Sequence, residues 1–242
     1  MAADDYEVFR FDDVGWLTEI DMIEVDRVMI EDLGITLIQM MENAGRSLAQ
    51  LVLDLYRPGS VTVLAGAGGN GGGGLVAARH LANRGVDVSV TLSKSVDDFS
   101  GVPAVQADIL QRMGIEFVED PRSSDVIVDA LIGYSLHGSP RGKVAGLVTF
   151  ANEAGGSVVS LDTPSGLDVT DGSTPGAVAS ADVTMTLALP KTGLRESSHV
   201  GDLYVADISV PRSVYDTIGV GPPPSFSSGT IFRLRSDQDA SL

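Results

Sequence analysis

Residues 61–84 read VTVLAGAGGNGGGGLVAARHLANR, and this stretch decides the fold class. A short β-branched run over 61–64 gives way to glycine. Gly66, Gly68 and Gly71 satisfy G-x-G-x-x-G, and Gly68, Gly69, Gly71, Gly72, Gly73 and Gly74 surround the single side chain of Asn70. A helix is expected from about Leu75. Strand, glycine loop and helix in this order open a βαβ unit, in which backbone N–H groups at a helix N-terminus can cradle an anion while Asn70 makes a specific contact. The alternative is a tight strand-to-helix turn without a ligand, although six glycines cost backbone entropy at every position. A nicotinamide-dependent dehydrogenase would also need an acid about 20 residues on to hold a ribose hydroxyl. Here the second strand ends Leu92, Ser93, Lys94, so that fingerprint is incomplete.

Outward from this unit, β-branched runs recur at 86–92, 126–128, 158–161, 183–187 and 203–208, with helix-length segments at 102–113 and 143–153. Most runs are continuous rather than alternating, as in strands buried on both faces. The pattern predicts an α/β fold: a three-layer αβα sandwich around a Rossmann-like, mostly parallel central sheet. Upstream, Thr18 is placed to cap a helix carrying Ile20, Ile23, Val28 and Ile30, which Gly34 stops. A second helix is expected over 36–55, with Leu37, Met40, Met41, Ala44, Leu48 and Leu51 on one face, before Pro58 and Gly59. Residues 1–242 are expected to form one domain with a proline-rich stretch at 221–229 and a disordered tail at 236–242.

The chain of 242 residues carries 16 Lys and Arg against 33 Asp and Glu, a net charge of −17. That balance, with no basic cluster, argues against nucleic-acid binding. Asp supplies 24 of the acids, and only Lys94, Lys143 and Lys191 stand beside 13 Arg. Such a surface suits concentrated salt, where screening removes self-repulsion; an ordinary acidic cytosolic protein is the alternative. The absence of cysteine excludes disulfides, thiolate catalysis and Cys-ligated metals. Five acids within residues 1–13 are the wrong charge for a signal peptide, and no run of about 20 apolar residues exists, so a soluble cytoplasmic protein is expected.

Two further loops follow strands, where ligands bind in an open parallel sheet. The run 126–128 delivers Asp129, then Gly133, Tyr134 and Ser135. The run 158–161 delivers Asp162, then Thr163, Pro164, Ser165, Gly166, Leu167 and Asp168. A carboxylate at the end of a hydrophobic strand is partly desolvated and must be paired, bind a cation, or carry a raised pKa. Oxygens of Asn70, Asp129 and Ser165 suit a hard cation of low charge density, which leaves Asp162 for proton transfer. Capping of the following turn is the plainer alternative for either acid alone. His80 is expected to pack within its helix and His199 to be solvated, while Lys191 either reaches a phosphate or lies on the surface.

These residues, in this order, resemble the NAD(P)H-hydrate epimerase family, also called the YjeF N-terminal domain family. The resemblance rests on Gly34-Ile35 followed by Met41-Glu42-Asn43-Ala44-Gly45, on the glycine tract through Leu81, on Asp129-Ala130-Leu131-Ile132-Gly133, on the segment from Asp162 to Asp168, and on Leu189-Pro190-Lys191. It implies interconversion of the R and S forms of hydrated NADH and NADPH, feeding an S-specific dehydratase on a separate polypeptide. C6 of the hydrated ring bears a hydroxyl next to N1. A protonated carboxyl can assist its departure, and water re-attacks the resulting iminium from either face. By this resemblance Asp162 is the alternating acid and base, and one K⁺ is held by Asn70, Asp129 and Ser165. Substrate would be held by Gly69, Asn70, Gly71, Gly72, Gly73, Asp162 and the segment Gly133, Tyr134, Ser135, Leu136, His137, Gly138 and Ser139. A homodimer is also implied. The family's loop usually reads Asn-Asn-Gly-Gly-Asp-Gly, whereas this chain has Gly69 and Gly73 at the first Asn and the Asp. A catalytically silent ligand-binding or scaffold domain of the same fold is the alternative.

Overall fold

The computed structural model describes residues 6–221 and 226–236. Among these, nine strands form a single sheet. Six are the expected runs, observed as β2 (Ser60–Ala65), β3 (Asp87–Leu92), β5 (Val126–Ala130), β6 (Ser157–Leu161), β7 (Val183–Leu187) and β8 (Asp202–Ala206). Three short ones had no clear pattern: β1 (Val8–Arg10), β4 (Glu116–Phe117) and β9 (Ile231–Arg235). The strand order is 1-9-8-7-6-5-2-3-4, and neighbours are parallel except β8 and β9. From β2 the chain proceeds outward through β3 and β4, then returns to β5 on the other side of β2 and proceeds through β6 to β8. The carboxyl ends of β2 and β5 therefore flank a topological switch point, where a parallel sheet opens a crevice.

The expected three layers are present. Helices α2 (Leu37–Tyr56), α3 (Gly69–Ala82) and α4 (Gly101–Arg112) cover one face, packing Leu48, Leu51, Leu75, Leu81 and Leu110 on Val61, Val63, Val90 and Val128. Helix α5 (Gly142–Glu153) covers the other face with Leu147, Val148 and Ala151 on Leu64, Ile127 and Val158. Alternate residues of β2 thus serve opposite layers, which explains its unbroken apolar run. No helix among the described residues is long and apolar enough to cross a membrane.

Three features differ from expectation. Helix α3 begins at Gly69, so most of the glycine tract is helix rather than loop. A Cβ on Gly71 would lie 1.7 Å from the Gly66 carbonyl oxygen, one on Gly74 2.5 Å from Ala130 Cβ, and one on Gly45 of α2 2.5 Å from the Gly73 carbonyl oxygen. Backbone-to-backbone packing of α3 against β5 and α2 therefore overrides the poor helix propensity of glycine, about 1 kcal/mol per residue. The first helix, α1 (Glu19–Arg27), starts at the predicted cap: Thr18 Oγ1 accepts from Asp21 N–H (3.3 Å), and Thr18 N–H donates to Asp21 Oδ2 (2.8 Å). It continues as one π turn over Val28–Asp32, but its buried stripe is Met22, Val25, Val28 and Met29; of the expected apolar residues Val28 is buried, while Ile20, Ile23 and Ile30 are exposed. The phase is set from outside the helix, because Leu17 is bridged to Lys191 and orients the chain entering it. Helix α6 (Arg212–Ile218) was not anticipated; it packs Val214 and Tyr215 onto the α1 stripe. Of the proline-rich stretch and the tail, residues 222–225 and 237–242 lie outside the described residues.

Close glycine packing and open glycines are separable by experiment. Gly45→Ala should destabilise the protein by about 1–3 kcal/mol, the usual cost of overpacking. Gly146→Ala in α5, with nothing within 4 Å of the new methyl, should stabilise it by about 0.5–1 kcal/mol. Urea midpoints at constant m-value measure both, and equal midpoints would contradict the packing account.

Candidate active site

A cavity of about 380 Å³ opens at the switch point, within the size range of small-molecule sites. Its polar floor comes from Gly68, Gly69 and Asn70 at the start of α3, Gly133 to Ser135 after β5, and Asp162 after β6; Met22, Met40, Met41 and Leu131 form an apolar wall. The first-turn N–H groups of α3 have no acceptor further back in the helix, so they face the crevice as free donors. The would-be Cβ positions of Gly68 and Gly69 are open.

Asp162 is the most constrained acid in the site. It is 3% exposed and adopts φ +68, a left-handed conformation that turns the chain sharply at the end of β6. Its Oδ2 accepts the Tyr134 N–H (3.1 Å) and its Oδ1 the Leu187 N–H (3.4 Å). The ammonium of Lys191 pairs with Oδ1 and also donates to Thr186 Oγ1 (3.1 Å) and the Leu187 carbonyl (2.8 Å). Lys191 is fully buried, so neither expectation for it holds: it lies inside the protein and its partner is a carboxylate. A buried ion with all three protons used is held in place by its environment.

Asp129 is the second expected acid, but it lies within β5, because that strand extends through Ala130. It is completely buried beneath the cavity and accepts four hydrogen bonds: from Ser165 Oγ (2.6 Å), Ser165 N–H (2.8 Å), Ser160 Oγ (2.8 Å) and Leu131 N–H (3.3 Å). Burial pushes its carboxyl above the ordinary range, and those donors, chiefly Ser165, oppose the shift. The Ser165 hydroxyl in turn accepts the Ile132 N–H (2.9 Å). Asn70 stands out differently, since its amide oxygen and nitrogen are both buried without a hydrogen-bond partner. A Cβ on Gly133 would lie 3.2 Å from both Asn70 Cγ and Asp162 Oδ2, so the amide and the carboxylate flank one glycine. A buried unpaired amide is a polar group awaiting a ligand.

Other expected site residues divide. Gly73 lines the cavity, whereas Gly71 and Gly72 are buried against Gly66 and Met41. Leu136, His137, Gly138 and Ser139 are not part of its lining, and Ser139 donates to the Pro175 carbonyl (2.7 Å). Asp168 caps its own turn through Thr170 N–H (2.8 Å). His80 is hydrogen-bonded to Glu42 (2.8 Å), which also pairs with Arg79, a clamp between α2 and α3 consistent with packing. His199 pairs with Ser180 (3.1 Å). One residue escaped the sequence: Asp26 on α1 lines the cavity, and its Oδ2 accepts from the Tyr134 hydroxyl (2.6 Å). Asp26 was one of many acids in an acidic chain. For Lys191 a signal existed, as one of three lysines directly after an apolar segment.

The family model described as YjeF-related protein N-terminus matches residues 37–193, from α2 to the residues just beyond Lys191. The chain belongs to this family. An NAD(P)H-hydrate epimerase of Dehalogenimonas lykanthroporepellens is 45% identical over 90% of this chain and 91% of its own length. A bifunctional NAD(P)H-hydrate repair enzyme of Hyperthermus butylicus is 37% identical over 92% of this chain, which spans only 46% of that protein. Among solved structures, the yeast protein ynu0 superposes with a TM-score of 0.76 at 28% identity, covering 90% of this chain and 99% of the yeast one. All the parts of the cavity from α2 to Lys191 fall inside the matched family segment; Asp26 precedes it.

The ion pair yields a direct prediction. Lys191→Met strands the Asp162 carboxylate and should cost about 3–5 kcal/mol in urea unfolding. The double variant Lys191→Met/Asp162→Asn should recover part of that loss. Additive losses in the double-mutant cycle would show that the two residues do not couple.

Proposed function

We propose that this chain is an NAD(P)H-hydrate epimerase acting at the Asp162 crevice. The observation that carries the proposal is a carboxylate turned into a ligand-sized cavity beside a helix N-terminus, in a chain 45% identical to a protein of that name. Asp162 exchanges the proton that accompanies loss and return of water at C6. When the C6–O bond breaks, its electron pair leaves with oxygen and the N1 lone pair forms the iminium; re-addition from the other face reverses these shifts. Lys191 holds the carboxylate aligned. The first-turn N–H groups of α3 suit the substrate's phosphates, and the methionine wall offers an apolar surface to its rings. A silent scaffold role is disfavoured, because such a domain would not need to hold a buried ion pair at the cavity floor.

A monovalent cation held by Asn70, Asp129 and Ser165 is part of the proposal: what supports it is the buried, unpartnered Asn70 Oδ1 and a buried Asp129 carboxylate without a cationic partner, and the cation would have to share the Asp129 and Ser165 oxygens with their present hydrogen bonds. When bound, K⁺ would supply positive charge near the substrate's phosphates. We further propose a cytoplasmic, salt-adapted protein, as a homodimer, passing its product to a dehydratase. Gly69 and Gly73 alter substrate binding in this reading without removing the proton-transfer group.

Two measurements test these proposals. Purified R-NADHX incubated with the protein should yield the S epimer by chromatography well above the spontaneous rate, and Asp162→Ala should reduce kcat by about 10²-fold or more. No conversion by the wild type, or equal conversion by the variant, overturns the assignment. Thermal melting in KCl and in choline chloride at matched ionic strength separates site from surface. A rise in both salts into the molar range supports salt adaptation, and an excess in KCl that Asn70→Ala abolishes supports the cation site. Identical curves in the two salts would reject that site.

A further inference from the structure

The cavity holds a second carboxyl that the proposed reaction has not used. Asp26 reaches it from α1, on the side of the apolar wall made by Met22, Ile30, Leu37 and Met40. Tyr134 joins it to the first: its hydroxyl donates to Asp26 Oδ2 (2.6 Å) and its backbone N–H to Asp162 Oδ2 (3.1 Å). The two acids are in unlike settings. Asp162 has a buried ammonium against it. Asp26 has a neutral phenol. An epimerisation that loses water from one face and adds it to the other is served by a donor on one side and an acceptor on the other, and a site with two carboxyls in unlike settings supplies both.

We propose that Asp26 is the second proton-transfer group of this site, donating a proton to the departing hydroxyl while Asp162 accepts one from the entering water on the opposite face. This rests on the epimerase reading. The step balances: Asp26 gives its proton to the C6 hydroxyl, which leaves as water, and the N1 lone pair forms the iminium. Water then bonds to C6 from the other face, the iminium electron pair returns to N1, and the released proton goes to Asp162. Exchange with solvent water resets the two carboxyls, and the reverse reaction uses them in exchanged roles. The active enzyme therefore carries one proton on the pair.

The surroundings of Asp26 suit a donor. Burial raises its pKa and repulsion from Asp162 adds to the rise, while the Tyr134 hydrogen bond and the more distant Lys191 lower it. Glu19 acts on Tyr134. Of the other elements packed here, α2 presents Met40 and Ala44, and α6 presents Val214 and Tyr215, whose phenol is held neutral by burial and by Asp207. Arg27, next in sequence, is engaged by Glu24, Glu31 and Asp32.

The sign of the test follows from these contacts. Activity requires a protonated Asp26, so kcat/KM for R-NADHX falls as pH rises through the Asp26 pKa. Tyr134→Phe removes a hydrogen bond that favours the carboxylate, so the basic limb should move to higher pH. Asp26→Asn should lower kcat about 10²-fold with KM within a few-fold, and should abolish that limb. Retention of wild-type kcat in Asp26→Asn, persistence of the limb in that variant, or an unmoved limb in Tyr134→Phe would overturn the proposal while leaving the epimerase assignment intact. An inactive wild type would instead defeat the epimerase assignment itself.

Discussion

An ammonium and a carboxylate withdrawn from water each lose several kcal/mol of hydration, and only close, complete pairing returns it. The Lys191–Asp162 pair meets that condition, and much of the site's geometry follows from doing so. Lys191 Nζ has three protons and three acceptors, of which Thr186 and the Leu187 carbonyl belong to the end of β7. The segment carrying Lys191 must therefore lie close across the mouth of the sheet. It is held there by Leu17, whose N–H donates to the Pro190 carbonyl (2.8 Å) and whose carbonyl accepts the Thr192 N–H (2.9 Å). Leu17 directly precedes the Thr18 cap, so the strap that seats the lysine also launches α1 and determines which of its residues reach the cavity. The pairing at the floor and the placement of Asp26 in the wall thus share one cause.

Close packing of α3 is the second constraint. A helix beginning with five glycines in its first six residues would not persist alone, since each glycine costs about 1 kcal/mol relative to alanine. It persists because the missing side chains let its backbone approach β5 and α2 more closely than Cβ atoms would allow. That approach brings the N-terminus of α3 to the switch point, with Asn70 as the one side chain of its first turn directed at Gly133. Anion-binding capacity and helix packing are therefore consequences of one glycine tract, and the choice between a cradle and a mere tight turn was too narrow.

How much of this was legible follows from the range of each interaction. Strands β2, β3 and β5 to β8 showed as apolar runs, because burial on both faces leaves that mark on contiguous residues. Thr18 showed as a cap because capping is local. Strands β1 and β4 are two or three residues long and lie at the sheet edges, and β9 interrupts its apolar residues with Arg233 and Arg235, so these carry little pattern. The orientation of α1 could not be read, because it is set by a bridge between residues 17 and 191. Asp129 and Asp162 could be singled out by their position after strands, and different tasks were expected of them, but their depth could not be read: one lies buried inside β5, the other is turned into the cavity by a left-handed residue. Asp26 and the hydroxyl of Tyr134 were invisible because their pairing spans 108 positions.

The departures at Gly69 and Gly73 have different physical consequences. At Gly69 the space a side chain would occupy is open, so the difference from the family pattern removes a polar contact and enlarges the entrance. At Gly73 a Cβ would meet Leu161 Cδ2 at 2.8 Å, so Leu161 occupies the space where that pattern places a carboxylate. The cavity thereby exchanges a charge for an apolar contact on the α3 side. Its ionisable groups are left as Asp162, Asp26 and Tyr134, all connected through Tyr134. With fewer charges near the crevice, each remaining one is less screened by its neighbours. The proton balance of the site then rests on the contrast between an acid facing an ammonium and an acid facing a phenol.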